Sequence, residues 1–276
     1  MNSLHTKAIN SIKSRDKTRE SSASGDLTIN FHPDRFTKDG RPLLLAIARD
    51  GILKSQFETG TSNGGLTAFV GGDRYDWEQR VFDGIYDDSL AYQRPKYGGF
   101  NYLNQEFGAS PRFGSSYFLL KGEVSERTTY CYPDSFFLPE DFASHQGLEH
   151  LIELAESDSQ DLLDNYIEAQ FHGELSVQND VEALVLDPIY KDTDIEKQAN
   201  NLGVDVRFHM GFRLKVSTLD QHHDYRGEEF VNLAHKIAED GVIHPLLLSK
   251  AIYEDGYDEQ DVKKVWHYLA RFGYQG

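Results

Sequence analysis

The chain has 276 residues, 28 Lys plus Arg against 45 Asp plus Glu, and a net charge of −17. That balance argues against a phosphate-neutralising nucleic-acid surface and against attraction to anionic lipid, so nucleic acid and membrane are not expected partners. One cysteine, Cys131, excludes an intrachain disulfide and a Cys-based zinc site. No apolar run reaches the roughly 18 residues of a membrane span, and no secretory signal is visible, so a cytoplasmic location is expected.

Residues 1–14 carry Leu4, Ala8, Ile9 and Ile12 at near-helical spacing. The polar string from Ser14 to Gly25 reads as a mobile linker, so residues 1–25 form a separable helix and linker. Deleting them is expected to leave stability nearly unchanged, unless the first helix docks on the body through Leu4 and Ile12. Strict alternation from Leu27 to His32 predicts a strand that Pro33 ends. Leu43 to Arg49 predicts a short helix, and Gly60 to Gly65 a loop of exposed amides. Residues 71–113 read as loops with short helices, one near Trp77–Phe82. Ser116–Lys121 and Glu126–Tyr132 predict strands. Gly147–Asn165 predicts a helix with Leu148, Leu151, Ile152, Leu154 and Ala155 on its apolar stripe.

The next segment alternates again. Ile167, Ala169 and Phe171 point to the core, and Tyr166, Glu168, Gln170 and His172 share the other face. Val181–Asp187 and Arg207–Leu214 predict further strands, and residues 228–276 predict three helices. The element order is mixed rather than βαβα. The expected fold is α+β, a mostly antiparallel sheet in residues 26–227 followed by a helical segment at 228–276.

Three groups carry candidate chemistry. His32 and Arg35 follow a strand directly, and Arg35 offers a planar fork to a phosphate or carboxylate. Gly60 to Gly65, with Thr61, Ser62 and Asn63, can form an anion nest, but the loop is neither a Walker A nor a Rossmann pattern. Glu168, Gln170 and His172 place a carboxylate, an amide and an imidazole on one strand face. The histidines, including His209, His222 and His223, show no metal-binding spacing, so no metal is expected. Cys131 is expected to be inert.

The strings LTINFHPDR, SQFETGTSNGGL, RPKYGGFN, SPRFGSSYFLLK, YIEAQFHGEL, DVEALVLDP and VWHYLARFG resemble a bacterial domain-of-unknown-function family, number 3626, across residues 27–273. That name carries no activity. The middle block, RPKYGG through YIEAQFHGEL, is similar to ADP-ribosyltransferase-like domains of phage-head and polymorphic-toxin proteins. The resemblance implies a split antiparallel sheet with NAD in its cleft as substrate. It implies that Arg35 matches the first-strand arginine and that Thr61-Ser62 matches part of a Ser-Thr-Ser motif. Glu168-Ala169-Gln170 matches a Gln/Glu-x-Glu motif in inverted order. His32 takes the place of the histidine of the diphtheria-toxin-like class. On this reading Glu168, Gln170 and His172 are catalytic, and His32, Arg35, Thr61, Ser62 and Asn63 bind NAD. The acceptor is an unidentified protein or small molecule, and Glu182 is the alternative carboxylate. The competing expectations are a hydrolase or nuclease using His32, Glu168 and His172, and a non-catalytic binding module.

Overall fold

The computed structural model describes residues 3–17, 22–61 and 66–273. In chain order its strands are β1 Asp26–Phe31, β2 Ile52–Leu53, β3 Lys96–Asn101, β4 Ser116–Leu120, β5 Thr128–Tyr132 and β6 Asp141–Ser144. They continue with β7 Ile167–Phe171, β8 Leu175–Ser176, β9 Val181–Leu186, β10 Asp205–Phe208, β11 Leu214–Lys215 and β12 Val242–Ile243. The α-helices are α1 Ser3–Lys13, α2 Leu43–Asp50, α3 Gln56–Thr59, α4 Asp73–Val81, α5 Leu148–Ser157, α6 Val177–Asp180, α7 Asp194–Asn200, α8 Glu228–Ile237, α9 Pro245–Tyr253 and α10 Glu259–Phe272.

Eight strands form one sheet in the order β10-β9-β4-β1-β3-β7-β5-β6. Every neighbouring pair is antiparallel except β9 with β10. The fold is therefore α+β with a mostly antiparallel sheet and flanking helices. Period-two side-chain alternation divides this sheet into two unlike faces. One is apolar: Leu27, Phe31, Phe118, Ile167, Ala169, Phe171 and Leu184 pack on Leu44 of α2, Leu148 and Leu151 of α5 and Ala199 of α7. The other is polar along its centre. Register places Thr28 opposite Gly99, Gly99 opposite Glu168, and Glu168 opposite Cys131. This polar face is also covered, by α1 and α4 near β5 and β7.

Several sequence expectations change. Helix α5 stops at Ser157, because the following polar run captures its own backbone: Asp158 accepts from the Gln160 amide at 3.1 Å and Asp161 from the Leu163 amide at 3.0 Å. The strand expected over 207–214 ends at Phe208, and Gly211, whose φ is +93°, turns the chain before Leu214. Met210 is left exposed, and Phe212 and Leu214 join a separate core with α8, α9 and α10. Phe107 and Leu163 enter that same core, so the C-terminal helices share apolar contacts with the body. Strand β3 was hidden inside a stretch read as loops. Its two glycines conceal any alternation, and Gly98 is needed there because a Cβ would stand 2.3 Å from the Thr28 carbonyl oxygen.

The N-terminal helix packs on the body. Ala8 and Ile12 are fully buried against Trp77, Val81, Phe82 and Tyr86. Asp16, expected in a free linker, accepts from the Ser144 amide at 2.7 Å and its hydroxyl at 2.6 Å. Lys17 pairs with Asp141. No described helix is long and apolar enough to cross a membrane.

Candidate functional site

Strand β7 carries Glu168, Gln170 and His172 to one face, as the alternation requires, and all three are buried. Their hydrogen bonds run in one direction. The Thr129 hydroxyl donates to Gln170 Oε1 at 3.0 Å, so it accepts from His172 Nε2 at 2.9 Å. His172 Nδ1 is then left to accept from the Tyr86 hydroxyl at 2.7 Å. Gln170 Nε2 donates to Glu168 Oε1 at 3.1 Å. From the other side Arg74 Nη1 donates to Ser135 Oγ at 2.7 Å, and Ser135 donates to Glu168 Oε2 at 2.6 Å. The Ser135 amide adds a third donor, at 3.2 Å. Both chains of donors terminate on the Glu168 carboxylate.

A second pair supports this one. Arg94 Nη1 donates to Glu78 at 2.6 Å, and Tyr97 donates to the other Glu78 oxygen at 2.6 Å. The Arg74 guanidinium lies 3.9 Å from the centre of the Tyr97 ring, a cation–π contact. Arg94 also donates to the Tyr86 carbonyl at 2.8 Å. The contacts thus close into a ring through α4, β3, β5 and β7.

Burial sets the charges. It pushes the Glu168 carboxyl up, and Arg74 and the Ser135 donors hold that rise back. Glu78 is raised by burial against the pull of Tyr97 and Arg94. Cys131 is driven well up by burial and by Glu168, which disfavours its thiolate. His172 falls to about 3, from burial first and then from the charges of His5, Lys96 and Arg127. A histidine that resists protonation in the fold gives stability that is full above the ordinary value near 6.5. That stability is lost as pH falls toward 3, because the unfolded chain takes up the proton first. The melting temperature should therefore fall more steeply between pH 6.5 and 4 in the wild type than in His172→Gln. Parallel pH curves for the two proteins would contradict this.

The structure separates the expected constellation into groups. His32 packs edge-on against Trp266 of α10 with ring centres 4.8 Å apart. Arg35 lies 3.4 Å from Glu259 and over the Tyr253 ring. β1 and β7 flank β3, so Thr28 and Glu168 stand two inter-strand spacings apart, roughly 10 Å. His32 lies four residues further along, and the single cleft expected to join it to Glu168 does not form. Thr61 is exposed, its hydroxyl bonded to Thr59 Oγ1 at 2.9 Å, and it joins neither group. Ser62 and Asn63 lie outside the described residues. Glu182, the alternative carboxylate, is exposed and paired with Arg207 at 3.1 Å.

Sequence reasoning missed Arg74, Glu78, Arg94 and Ser135. A signal existed in α4: Arg74, Trp77, Glu78 and Val81, at i, i+3, i+4 and i+7, form its buried stripe. Two charges within the stripe obscured the period. Among the described residues no group of three or more His, Cys, Asp or Glu is arranged to hold a metal ion. A recess of about 280 Å³, lined by Tyr132, Asp141 and Asp158 among others, includes no residue of the network.

No curated protein matches the chain. The likeness of its middle block to ADP-ribosyltransferases is not carried by the family comparison. That comparison matches residues 26–153 and 143–272 to proteins of unknown function, and the chain belongs to this family, DUF3626.

Proposed function

We propose that the chain is an ADP-ribosyltransferase-like enzyme that uses NAD, with Glu168 as its charge-stabilising carboxylate. One observation supports this reading most: two chains of donors, from Tyr86 and from Arg74, end on that single carboxylate. In the reaction the bond from ribose C1′ to the nicotinamide nitrogen breaks, and the nitrogen keeps the electron pair. Positive charge then develops on the ribose. A fixed carboxylate stabilises that charge more than it stabilises bound NAD. The acceptor oxygen or nitrogen forms the new bond to C1′ and releases its proton. Ser135 covers Glu168 Oε2, so contact with a ribose requires the 135–138 turn to swing aside. Phe136, Phe137 and Leu138 of that turn are exposed.

A binding module without catalysis is the second reading. It is favoured because Glu168, Gln170 and His172 already satisfy one another and their neighbours. A His/Glu hydrolase is less well supported, since both His172 nitrogens are engaged. The test is nicotinamide release from NAD. The wild type should release it, and Glu168→Gln should lower the rate by roughly 10²–10³ while still folding. A wild type that neither binds nor cleaves NAD leaves the binding module as the better account.

A further inference from the structure

The hairpin of β5 and β6 ends beside the C-terminus of α5. Tyr132 pairs with Asp141 at its base, and residues 133–140 form its loop. The recess of about 280 Å³ opens at this base. Tyr132, Pro133 and Asp141 line it from the hairpin, and Leu154, Ser157 and Asp158 from the end of α5. Its volume lies below the roughly 300–1,000 Å³ of sites for drug-sized ligands, so it suits one long side chain rather than a nucleotide.

The recess is negative and only partly answered. Asp141 meets Lys17 and His150. Asp158 accepts from neutral donors, the Tyr132 hydroxyl at 2.9 Å and the Gln160 amide at 3.1 Å, and pairs with no cation among the described residues. The last turn of α5 borders the recess, so the negative end of the helix dipole adds to Asp158. That turn holds Glu156 and no basic residue. Tyr132, Pro133 and Leu154 supply apolar walls along which an alkyl stem can lie.

The hairpin loop adds a second feature. Phe136, Phe137 and Leu138 are consecutive and 53%, 45% and 59% exposed. The two phenyl rings pack edge-on against each other, with centres 5.3 Å apart. Phe136 is three residues from Pro133, and Leu138 three from Asp141. At most about 10 Å of chain therefore separates either end of the triplet from the recess. Single exposed apolar residues are ordinary, whereas three in a row beside a charged recess form a patch.

We infer that the recess and the hairpin loop form a docking surface for a partner polypeptide segment that carries one arginine among large apolar residues. The guanidinium forks onto Asp158, its stem lies on Tyr132, Pro133 and Leu154, and its apolar neighbours cover Phe136, Phe137 and Leu138. Arginine fits better than lysine. Its head is less strongly hydrated, and its planar fork can meet a carboxylate and helix-end carbonyls together. The net charge of −17 favours a basic partner over another copy of this acidic chain. A bare metal ion fits less well, since no group of three or more His, Cys, Asp or Glu is arranged for one among the described residues. None of the lining residues or of the exposed triplet belongs to the Glu168 network. The surface therefore stands or falls apart from NAD cleavage.

The test is calorimetric titration of the full chain, in low-salt buffer, with a blocked pentapeptide of sequence Ser-Phe-Arg-Leu-Ser. Saturable binding is expected. The same peptide with neutral citrulline in place of arginine should bind roughly tenfold or more weakly, the loss of a charge-assisted hydrogen bond. Asp158→Asn should weaken the arginine peptide to a similar degree while leaving the melting temperature unchanged. Phe137→Ser should weaken it by roughly fivefold or more, through lost apolar contact. Asp205→Asn removes the same charge at the opposite edge of the sheet and should leave binding unchanged. Absence of saturable binding, equal affinity for the citrulline peptide, or an equal loss in Asp205→Asn and Asp158→Asn overturns the inference. So does a dimer in sedimentation that Phe137→Ser dissolves, because a second copy then occupies the surface.

Discussion

Replacing Arg94 with methionine should lower the melting temperature by roughly 6–20 °C. Arg94 and Glu78 form an ion pair at 2.6 Å with side chains 3% and 0% exposed. Removing one partner of such a pair leaves an uncompensated buried charge, at a cost of about 3–5 kcal/mol. In a domain near this size each kcal/mol corresponds to roughly 2–4 °C. The guanidinium also lies 4.3 Å from the Phe57 ring centre and 4.7 Å from that of Tyr75, and methionine keeps only part of that packing. Burial already raises Glu78, and Arg94 is one of the groups resisting the rise. Without Arg94 the carboxyl binds its proton at higher pH, so the loss should be larger at pH 8 than at pH 5. Adding Glu78→Gln to Arg94→Met should restore part of the loss, because the orphaned charge is gone. Equal melting of Arg94→Met and wild type would show that the pair does not support the network.

What the sequence revealed and concealed follows from where each signal resides. In β7, alternation within five residues separates Ile167, Ala169 and Phe171 from Glu168 and Gln170, and the structure keeps that separation. The strand from Leu27, the strand from Val181 and the three C-terminal helices were legible for the same reason: their periods are local. The environment of the polar face was not. Alternation reports that Glu168, Gln170 and His172 share a side, but it cannot report what covers that side. Here the cover is α1 and α4, so a face read as a cleft is a closed hydrogen-bonded layer. Its partners, Arg74, Glu78 and Arg94, lie between 74 and 94 residues before Glu168, on a helix and a turn. Their pairing is a property of the fold. The same holds for Asp16 and Lys17: a polar string has one composition whether it is solvated or paired with Ser144 and Asp141.

Deleting residues 1–17 should destabilise the chain by on the order of 5 kcal/mol or more. The helix it removes supplies one side of a core. Ile12 and Ala8 are fully buried, with Leu4 packed beside them, and their neighbours are Trp77, Val81, Phe82, Tyr86 and Cys131. A buried isoleucine contributes about 1.5–3 kcal/mol by transfer alone, before the exposure of the Trp77, Phe82 and Tyr86 rings is counted. Polar contacts go with it: His5 to the Gln93 carbonyl at 3.0 Å, Arg15 to Asp83 at 2.8 Å, and both Asp16 bonds to Ser144. Tyr86 then loses its cover, and it is the first donor in the chain through His172 to Glu168. Truncation should therefore loosen the carboxylate as well as lower stability. The measurement is thermal unfolding of residues 18–276 beside the full chain, with a fall of about 10 °C or more expected. Ile12→Ala gives a milder version that still folds, expected to cost about 2–5 kcal/mol. A truncated chain melting within a degree or two of the full one would mean that α1 rests on the body without holding it together. Residues 1–25 would then be the separable segment that their composition suggests.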